Sequence, residues 1–103
     1  MNIRITDFMS QEELLIQLAE EAAELSHAAL KLRRVMDGTN PTPVSYANAV
    51  KGLNEEIADV RLCLEQIHCT NENVIRDIRN SKLARWIMRL IESGGNSYAQ
   101  KDK

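Results

Sequence analysis

The sequence predicts an all-α protein, and three observations lead to this prediction. The 103 residues include only four glycines and two prolines, so the chain has few of the residues that form turns. Aromatic residues make up 4% of the chain, which argues against a many-stranded β fold. Apolar residues recur every three or four positions along two long segments, as they do on the buried face of a helix. We expect one domain, residues 1–95, built as a bundle of two long antiparallel helices plus a shorter helical pair.

The first predicted helix begins after Ser10, because Ser10 and Glu13 have the spacing of a capping box. It runs to about Met36, where Asp37 and Gly38 supply a stop. The next segment, 39–43, contains both prolines and is typical of a loop.

The second predicted helix begins after Ser45 and ends near Cys69. Thr70 or Asn71 caps a third helix, and a fourth segment, 82–92, either follows separately or continues the third. Two glycines at 94 and 95 end it. The polar tail, 96–103, is expected to be disordered.

Composition excludes several classes of protein. The net charge of −2, from 13 basic and 15 acidic residues, lacks the basic footprint of a protein that binds a nucleic-acid polymer. No run of 18 apolar residues predicts a membrane span, and the first ten residues lack the apolar segment of a signal peptide. Cys63 and Cys69 lie too far apart along one helix for a disulfide, so we expect reduced thiols and a cytoplasmic location.

The first helix carries an acid inside its apolar stripe. The stripe consists of Leu14, Leu18, Leu25, Ala28, Leu32 and Val35. Glu21 occupies the position expected between Leu18 and Leu25 and falls within the apolar arc, with Glu24 at its edge. A carboxylate that faces a core is costly unless it is neutralised, paired or bound to a metal. Such a break in the pattern indicates a functional position.

The second helix has a similar arrangement. Its apolar stripe consists of Val50, Leu53, Ile57, Val60, Leu64 and Ile67. Glu56 borders this stripe, and Asp59 lies one turn along from Glu56. Together with Gly52 and Cys63, these acids form a neighbouring strip of small and acidic side chains.

Four acids therefore form a candidate metal site, here called the acid quartet: Glu21, Glu24, Glu56 and Asp59. If the helices pack antiparallel, these carboxylates converge and repel one another at short range. A divalent cation such as Mg²⁺, or Mn²⁺ in its place, resolves the repulsion. Two alternatives remain open: the acids decorate solvated faces, or buried pairs with Arg61, Lys31 or other cations hold them.

Two segments, EEAAELSHAALKL and NEEIADVRLCLEQI, resemble the MazG-like superfamily of all-α nucleoside triphosphate pyrophosphohydrolases. The resemblance covers roughly Glu12 to Arg89 and includes an ExxE and an ExxD motif. It implies Mg²⁺-dependent hydrolysis of a nucleoside triphosphate to the monophosphate and pyrophosphate. It also implies that the acid quartet supplies the metal ligands and catalytic groups, and Glu24 is a reasonable candidate for the base.

The same resemblance implies a downstream cluster of cations that contacts phosphates. Lys82 and Arg85 are the candidates here, with Arg89 behind them, although a solvated helix face explains the same residues. Trp86 belongs to a set with core spacing, so we expect it to be buried rather than stacked on a base. That set is Leu83, Trp86, Ile87, Leu90 and Ile91.

A second apolar face on the first helix predicts an oligomer. It consists of Leu15, Ile16, Ala19, Ala23 and Leu30. A helix that is apolar on two sides needs two partners, so we expect at least a dimer. The resemblance to the MazG-like superfamily implies a homodimer or a homotetramer. Two alternatives to a nucleoside triphosphate pyrophosphohydrolase remain: a non-catalytic helical oligomerisation or interaction module, and an enzyme like phosphoribosyl-ATP pyrophosphohydrolase.

Overall fold

The computed structural model describes residues 1–94, and within them it contains helices and no strands. A 3₁₀ turn, Ile5–Asp7, precedes three α-helices: α1 (Gln11–Asp37), α2 (Tyr46–Gln66) and α3 (Glu72–Glu92). The predicted all-α class is therefore confirmed. The expected disordered tail, 96–103, lies outside the described residues.

The ends of α1 are set by local chemistry, as the sequence predicted. Ser10 Oγ accepts a hydrogen bond from the Glu13 amide at 3.1 Å, and Glu13 Oε1 accepts one from the Ser10 amide at 2.9 Å. These bonds satisfy two amide groups that the first turn of a helix leaves free. At the other end Gly38 has φ +76°, and the Thr39 amide donates to the Arg34 carbonyl at 2.9 Å. Glycine adopts this left-handed conformation without steric cost, so the helix stops here.

Helices α2 and α3 also begin at capping residues that the sequence indicated. Ser45 accepts a hydrogen bond from the Asn48 amide at 3.1 Å, and Asn71 accepts one from the Val74 amide at 3.0 Å. In place of the expected shorter pair, α3 is one helix of 21 residues, as long as α2. Its sequence contains neither glycine nor proline, so nothing local interrupts it.

Helices α1 and α2 pack antiparallel, and hydrogen bonds fix their register. The side chain of Gln11, at the start of α1, donates to the Gln66 carbonyl at 3.0 Å and accepts from the His68 amide at 2.7 Å. Three residues further into α1, the Leu14 carbonyl accepts from Cys63 Sγ at 3.6 Å. The start of α1 is thereby held against the end of α2.

The core of the helix pair lies along this contact. Its buried residues are Leu14, Leu32, Ala49, Cys63 and Ile67. The predicted stripe of α1 is buried or half-buried throughout. On α2, the expectation for Leu64 is wrong, because its side chain is 50% exposed while Cys63 is 6% exposed. The small side chains of Ala49 and Cys63 are buried instead, and the Cys63 thiol contacts the Leu14 carbonyl of α1.

The chain divides into two compact units, Met1–Cys69 and a second that begins at Thr70. Every described residue of the second unit is exposed, and Trp86 is 64% exposed. The expected burial of the set from Leu83 to Ile91 is therefore wrong for the isolated chain. The helical spacing of these residues identifies an apolar face of α3, and the large side chains on this face are exposed. Among residues 1–94, no helix has the length and apolar character needed to cross a membrane.

Candidate metal centre

Three carboxylates of the acid quartet meet between α1 and α2. Glu21, Glu56 and Asp59 each offer an oxygen, and these oxygens lie within 4.8 Å of one another. Glu21 and Glu56 are half-buried, and Asp59 is exposed. The register that sets Gln11 against Gln66 also sets Glu21 opposite Glu56, and Asp59 follows one turn later on the same face of α2. We call these three residues the carboxylate cluster.

The fourth acid, Glu24, lies one turn beyond Glu21 on α1 and is exposed. It is not among the three residues whose oxygens meet within 4.8 Å. Its charge still contributes to raising the pKa of Glu56, so it lies within the electrostatic reach of the cluster. The structure thus joins three of the predicted ligands directly and places the fourth at their margin.

Among residues 1–94, no basic side chain is ion-paired with the cluster. Within residues 1–94 the ion pairs are Arg4–Asp7, Arg33–Asp37 and Arg76–Asp77, and none involves the cluster. The structure therefore gives no support to buried pairs with Arg61 or Lys31. Partial burial raises the pKa of Glu56, and the nearby charge of Asp59, followed by those of Glu24 and Glu21, raises it further.

A neutral side chain orients one of the acids. Gln17 Nε2 donates a hydrogen bond to Glu21 Oε1 at 2.7 Å, one turn earlier on α1. This bond uses one oxygen of Glu21 and restricts the rotation of its side chain. It contributes no positive charge, so the repulsion within the cluster remains.

The cluster fits a hard divalent cation. All its donors are carboxylate oxygens, the ligands that Mg²⁺ and Mn²⁺ favour. Two oxygens on one Mg²⁺ lie at most about 4.2 Å apart, given bonds of about 2.1 Å. A spread of up to 4.8 Å therefore closes with small rotations of exposed or half-buried side chains. A bound cation would also offset the mutual repulsion of the three carboxylates, which stabilises the native state.

A cavity of about 150 Å³ adjoins the cluster. Glu21 and Asp59 line it together with apolar side chains, among them Met9 and Leu14. This cavity was not predicted, although the sequence contains a signal for part of its lining. Met9 precedes the N-cap Ser10, and Leu14 is the fourth residue of the helix, which is the spacing of a hydrophobic staple.

Cys63 also borders the cluster but is a poor ligand. It is buried and free, and burial followed by the charge of Glu21 raises the pKa of its thiol. Because metals bind the thiolate rather than the thiol, these surroundings disfavour a sulfur ligand. Cys69 is free and exposed.

The predicted phosphate contacts belong to the second unit. Lys82, Arg85 and Arg89 are exposed along α3, and none of them is ion-paired within the described residues. A comparison of the chain with models of protein families, with curated proteins and with solved structures found no match.

Proposed function

We propose that this chain is a Mg²⁺-dependent nucleoside triphosphate pyrophosphohydrolase of the MazG-like type. Its substrate is a ribo- or deoxyribonucleoside triphosphate, and its products are the monophosphate and pyrophosphate. The observation that carries the proposal is the carboxylate cluster, in which acids of an ExxE and an ExxD motif meet and, among residues 1–94, none is ion-paired with a basic side chain. The resemblance of the two motifs to that superfamily supplies the reaction.

The proposed chemistry assigns roles to the acids. Glu21, Glu56 and Asp59 hold the cation, for which Mn²⁺ is an alternative to Mg²⁺. When bound, the cation polarises phosphoryl oxygens and lowers the pKa of a coordinated water. Glu24 is exposed at the margin of the cluster, so it is available to take a proton from the attacking water. Lys82 and Arg85 are proposed to bind substrate phosphates, on the resemblance alone.

The proposal includes a homodimer or homotetramer in the cytoplasm. Three large side chains on the second face of α1 support an oligomer: Leu15, Ile16 and Leu30 are 46%, 64% and 54% exposed. Burying such side chains against another subunit is favourable by about 25 cal/mol per Å² of apolar surface. The same face supports the rival function, a non-catalytic helical oligomerisation module. The carboxylate cluster favours the enzyme, because a module needs no uncompensated acids between its helices.

A nucleotide panel tests the proposal. The full chain is incubated with Mg²⁺ and each common ribo- and deoxyribonucleoside triphosphate, and also with phosphoribosyl-ATP. Monophosphate and pyrophosphate are measured separately, because a phosphatase would release orthophosphate instead. We expect pyrophosphate from at least one nucleoside triphosphate. Hydrolysis of phosphoribosyl-ATP alone would favour the rival enzyme, and no hydrolysis at all would favour the interaction module.

A matched pair of variants assigns the activity to the cluster. Glu56→Gln removes one carboxylate of the cluster, and Glu55→Gln makes the same chemical change at the adjacent, exposed position. We expect Glu56→Gln to abolish hydrolysis and Glu55→Gln to retain most of it. Equal activities in the two variants would contradict the assignment.

A further inference from the structure

The cavity beside the carboxylate cluster has room for one six-membered ring. Its volume is about 150 Å³. An engineered apolar cavity of about 150 Å³ in another protein binds benzene, which sets the scale for a single ring. Sites for whole drug-sized ligands are larger, from about 300 Å³ upward, so this cavity suits one part of a ligand.

The lining of the cavity suits a flat ring. Five of its nine lining residues are apolar: Ile5, Met9, Leu14, Leu62 and Cys63. Leu14 and Cys63 are the most deeply buried of these, at 2% and 6% exposure. Ile5 and Leu62 are 39% and 50% exposed, so the cavity opens to solvent on their side. A ring that enters there exchanges water for apolar contact on its faces.

Two carboxamides add hydrogen-bonding groups to this apolar lining. Gln17 and Gln66 both line the cavity. Their amide nitrogens donate to Glu21 Oε1 and to the Leu62 carbonyl, at 2.7 and 3.4 Å. Within residues 1–94, neither side-chain oxygen accepts a hydrogen bond from the protein. Both oxygens therefore retain the capacity to accept a hydrogen bond from an N–H group of a ligand.

We infer that this cavity binds the base of the substrate and that the base is a pyrimidine. This inference rests on the proposed function, because it takes the ligand to be a nucleotide. A pyrimidine is a single six-membered ring that carries ring or exocyclic N–H groups, which match the carboxamide oxygens. A purine has two fused rings, so its second ring would extend beyond this space toward solvent and would lose the apolar contact that a single ring makes. Glu21 and Asp59 line the same cavity, so a nucleotide whose base occupies it lies against the carboxylate cluster.

Nucleosides without phosphates test the cavity independently of metal and hydrolysis. The chain is labelled with ¹³C at its methionine methyl groups and titrated in EDTA with uridine, cytidine, adenosine and guanosine. Met9 lines the cavity and reports on it, while Met36 and Met88 are 59% and 52% exposed elsewhere and serve as internal controls. We expect uridine or cytidine to shift the Met9 signal alone, and purine nucleosides to bind about tenfold more weakly or worse. No shift at Met9, or equal affinity for purines, would overturn the inference.

A matched pair of tryptophan variants tests the location. Leu62 and Leu64 both lie on α2 and are both 50% exposed, but only Leu62 lines the cavity. Leu62→Trp should fill the opening and weaken uridine binding by about tenfold or more, since a few added ring atoms are enough to overfill a tight site. Leu64→Trp should leave it unchanged. Equal effects of the two substitutions would place binding elsewhere, and circular dichroism checks that both variants are folded.

Hydrolysis separates a failure of this inference from a failure of the proposed function. We expect the pyrimidine triphosphates to have the higher kcat/KM, and Leu62→Trp to reduce that preference. Hydrolysis of purines and pyrimidines at equal rates, with no Met9 shift, would overturn the pyrimidine site and leave the enzyme intact. A Met9 shift with uridine in a chain that hydrolyses no triphosphate would uphold the cavity as a pyrimidine site and end the proposed function.

Discussion

Glu21 on α1 and Glu56 on α2 face each other across the antiparallel helix pair, with a carboxylate oxygen of each within 4.8 Å of the other. Within residues 1–94 neither is ion-paired, and the side chain that donates a hydrogen bond to Glu21 is the neutral Gln17. Two acids held this way repel each other in the metal-free protein. The response of stability to substitution, metal and pH therefore distinguishes a metal site from a structural one.

The first prediction concerns stability without metal. We expect Glu56→Gln to leave the melting temperature in EDTA unchanged or to raise it by a few degrees, because the repulsion from Glu21 and Asp59 falls. Thermal melts followed by circular dichroism measure this, with Glu55→Gln as the control. A large drop for Glu56→Gln would show that its carboxylate has a stabilising partner and would count against the metal site.

The second prediction concerns the cation. A ligand that binds only the native state stabilises it by RT ln(1 + [L]/Kd), about 2.7 kcal/mol when its concentration is 100 times Kd. We expect Mg²⁺ or Mn²⁺ to raise the melting temperature of the wild type, and to do so far less in Asp59→Asn. Sodium chloride at equal ionic strength controls for screening of charge. Equal stabilisation by sodium would indicate screening alone.

The third prediction concerns pH. Partial burial, followed by the charges of Asp59 and Glu24, raises the pKa of Glu56 above its ordinary value of 4.5. The native state therefore binds a proton more tightly than the unfolded chain. As the pH rises from the pKa of Glu56 in the unfolded chain to its pKa in the native state, the native state loses stability. This loss of stability is absent below pH 4.5 and complete above the native pKa of Glu56.

Glu56→Gln removes this titration. In EDTA, the stability of the variant relative to the wild type should accordingly increase as the pH rises above about 4.5, and should level off above the native pKa of Glu56. Urea unfolding at a series of pH values measures the difference, with Glu55→Gln measured in parallel. A difference that is independent of pH, or that decreases, would contradict the prediction.

The fourth prediction concerns assembly. Sedimentation at micromolar concentration should give at least about 23 kDa, twice the chain mass of 11.7 kDa. Ile16→Lys places a charge on the second face of α1 and should weaken association by about 30-fold, the effect of a loss of about 2 kcal/mol at an interface. Tyr46→Lys is the control, because Tyr46 is similarly exposed, at 58% against 64%, but lies on α2. A wild-type monomer, or equal effects of both substitutions, would contradict the proposed interface.

Features that depend on neighbouring residues could be predicted from the sequence. The capping box of Ser10 and Glu13 involves four consecutive residues, and the stop at Gly38 depends on one backbone conformation. The angle of Glu21 around α1 relative to the leucines predicted that it lies within the apolar arc, and in the structure it is half-buried. The antiparallel packing of two long helices with a short connection could also be predicted, whereas the exact opposition of Glu21 and Glu56 depends on the register that Gln11 fixes.

Features that depend on how surfaces meet could not be predicted. The apolar stripe of α2 suggested that Leu64 faces the core, but the helix turns Ala49 and Cys63 inward instead. The spacing of apolar residues predicts roughly which side of a helix faces the core. The size of the side chains on the neighbouring helix decides how the helix is finally rotated about its own axis. For Trp86 and its neighbours the spacing was correct, but spacing does not say what covers the face. The cavity depends on Met9 and Ile5, which precede α1 and have no periodic pattern.

The two hydrogen bonds of Gln11 bear on how the protein tolerates changes in chain length. They join the beginning of α1 to the end of α2, which is the opposite end of the helix pair from the connection 38–45. The alignment of Glu21 with Glu56 is thus anchored away from that connection. Lengthening a flexible loop costs only about 0.6 kcal/mol for each doubling. Insertions between Gly38 and Ser45 should therefore leave the carboxylates aligned, whereas a residue inserted between Gln11 and Glu21 would rotate Glu21 by about 100° away from its partners.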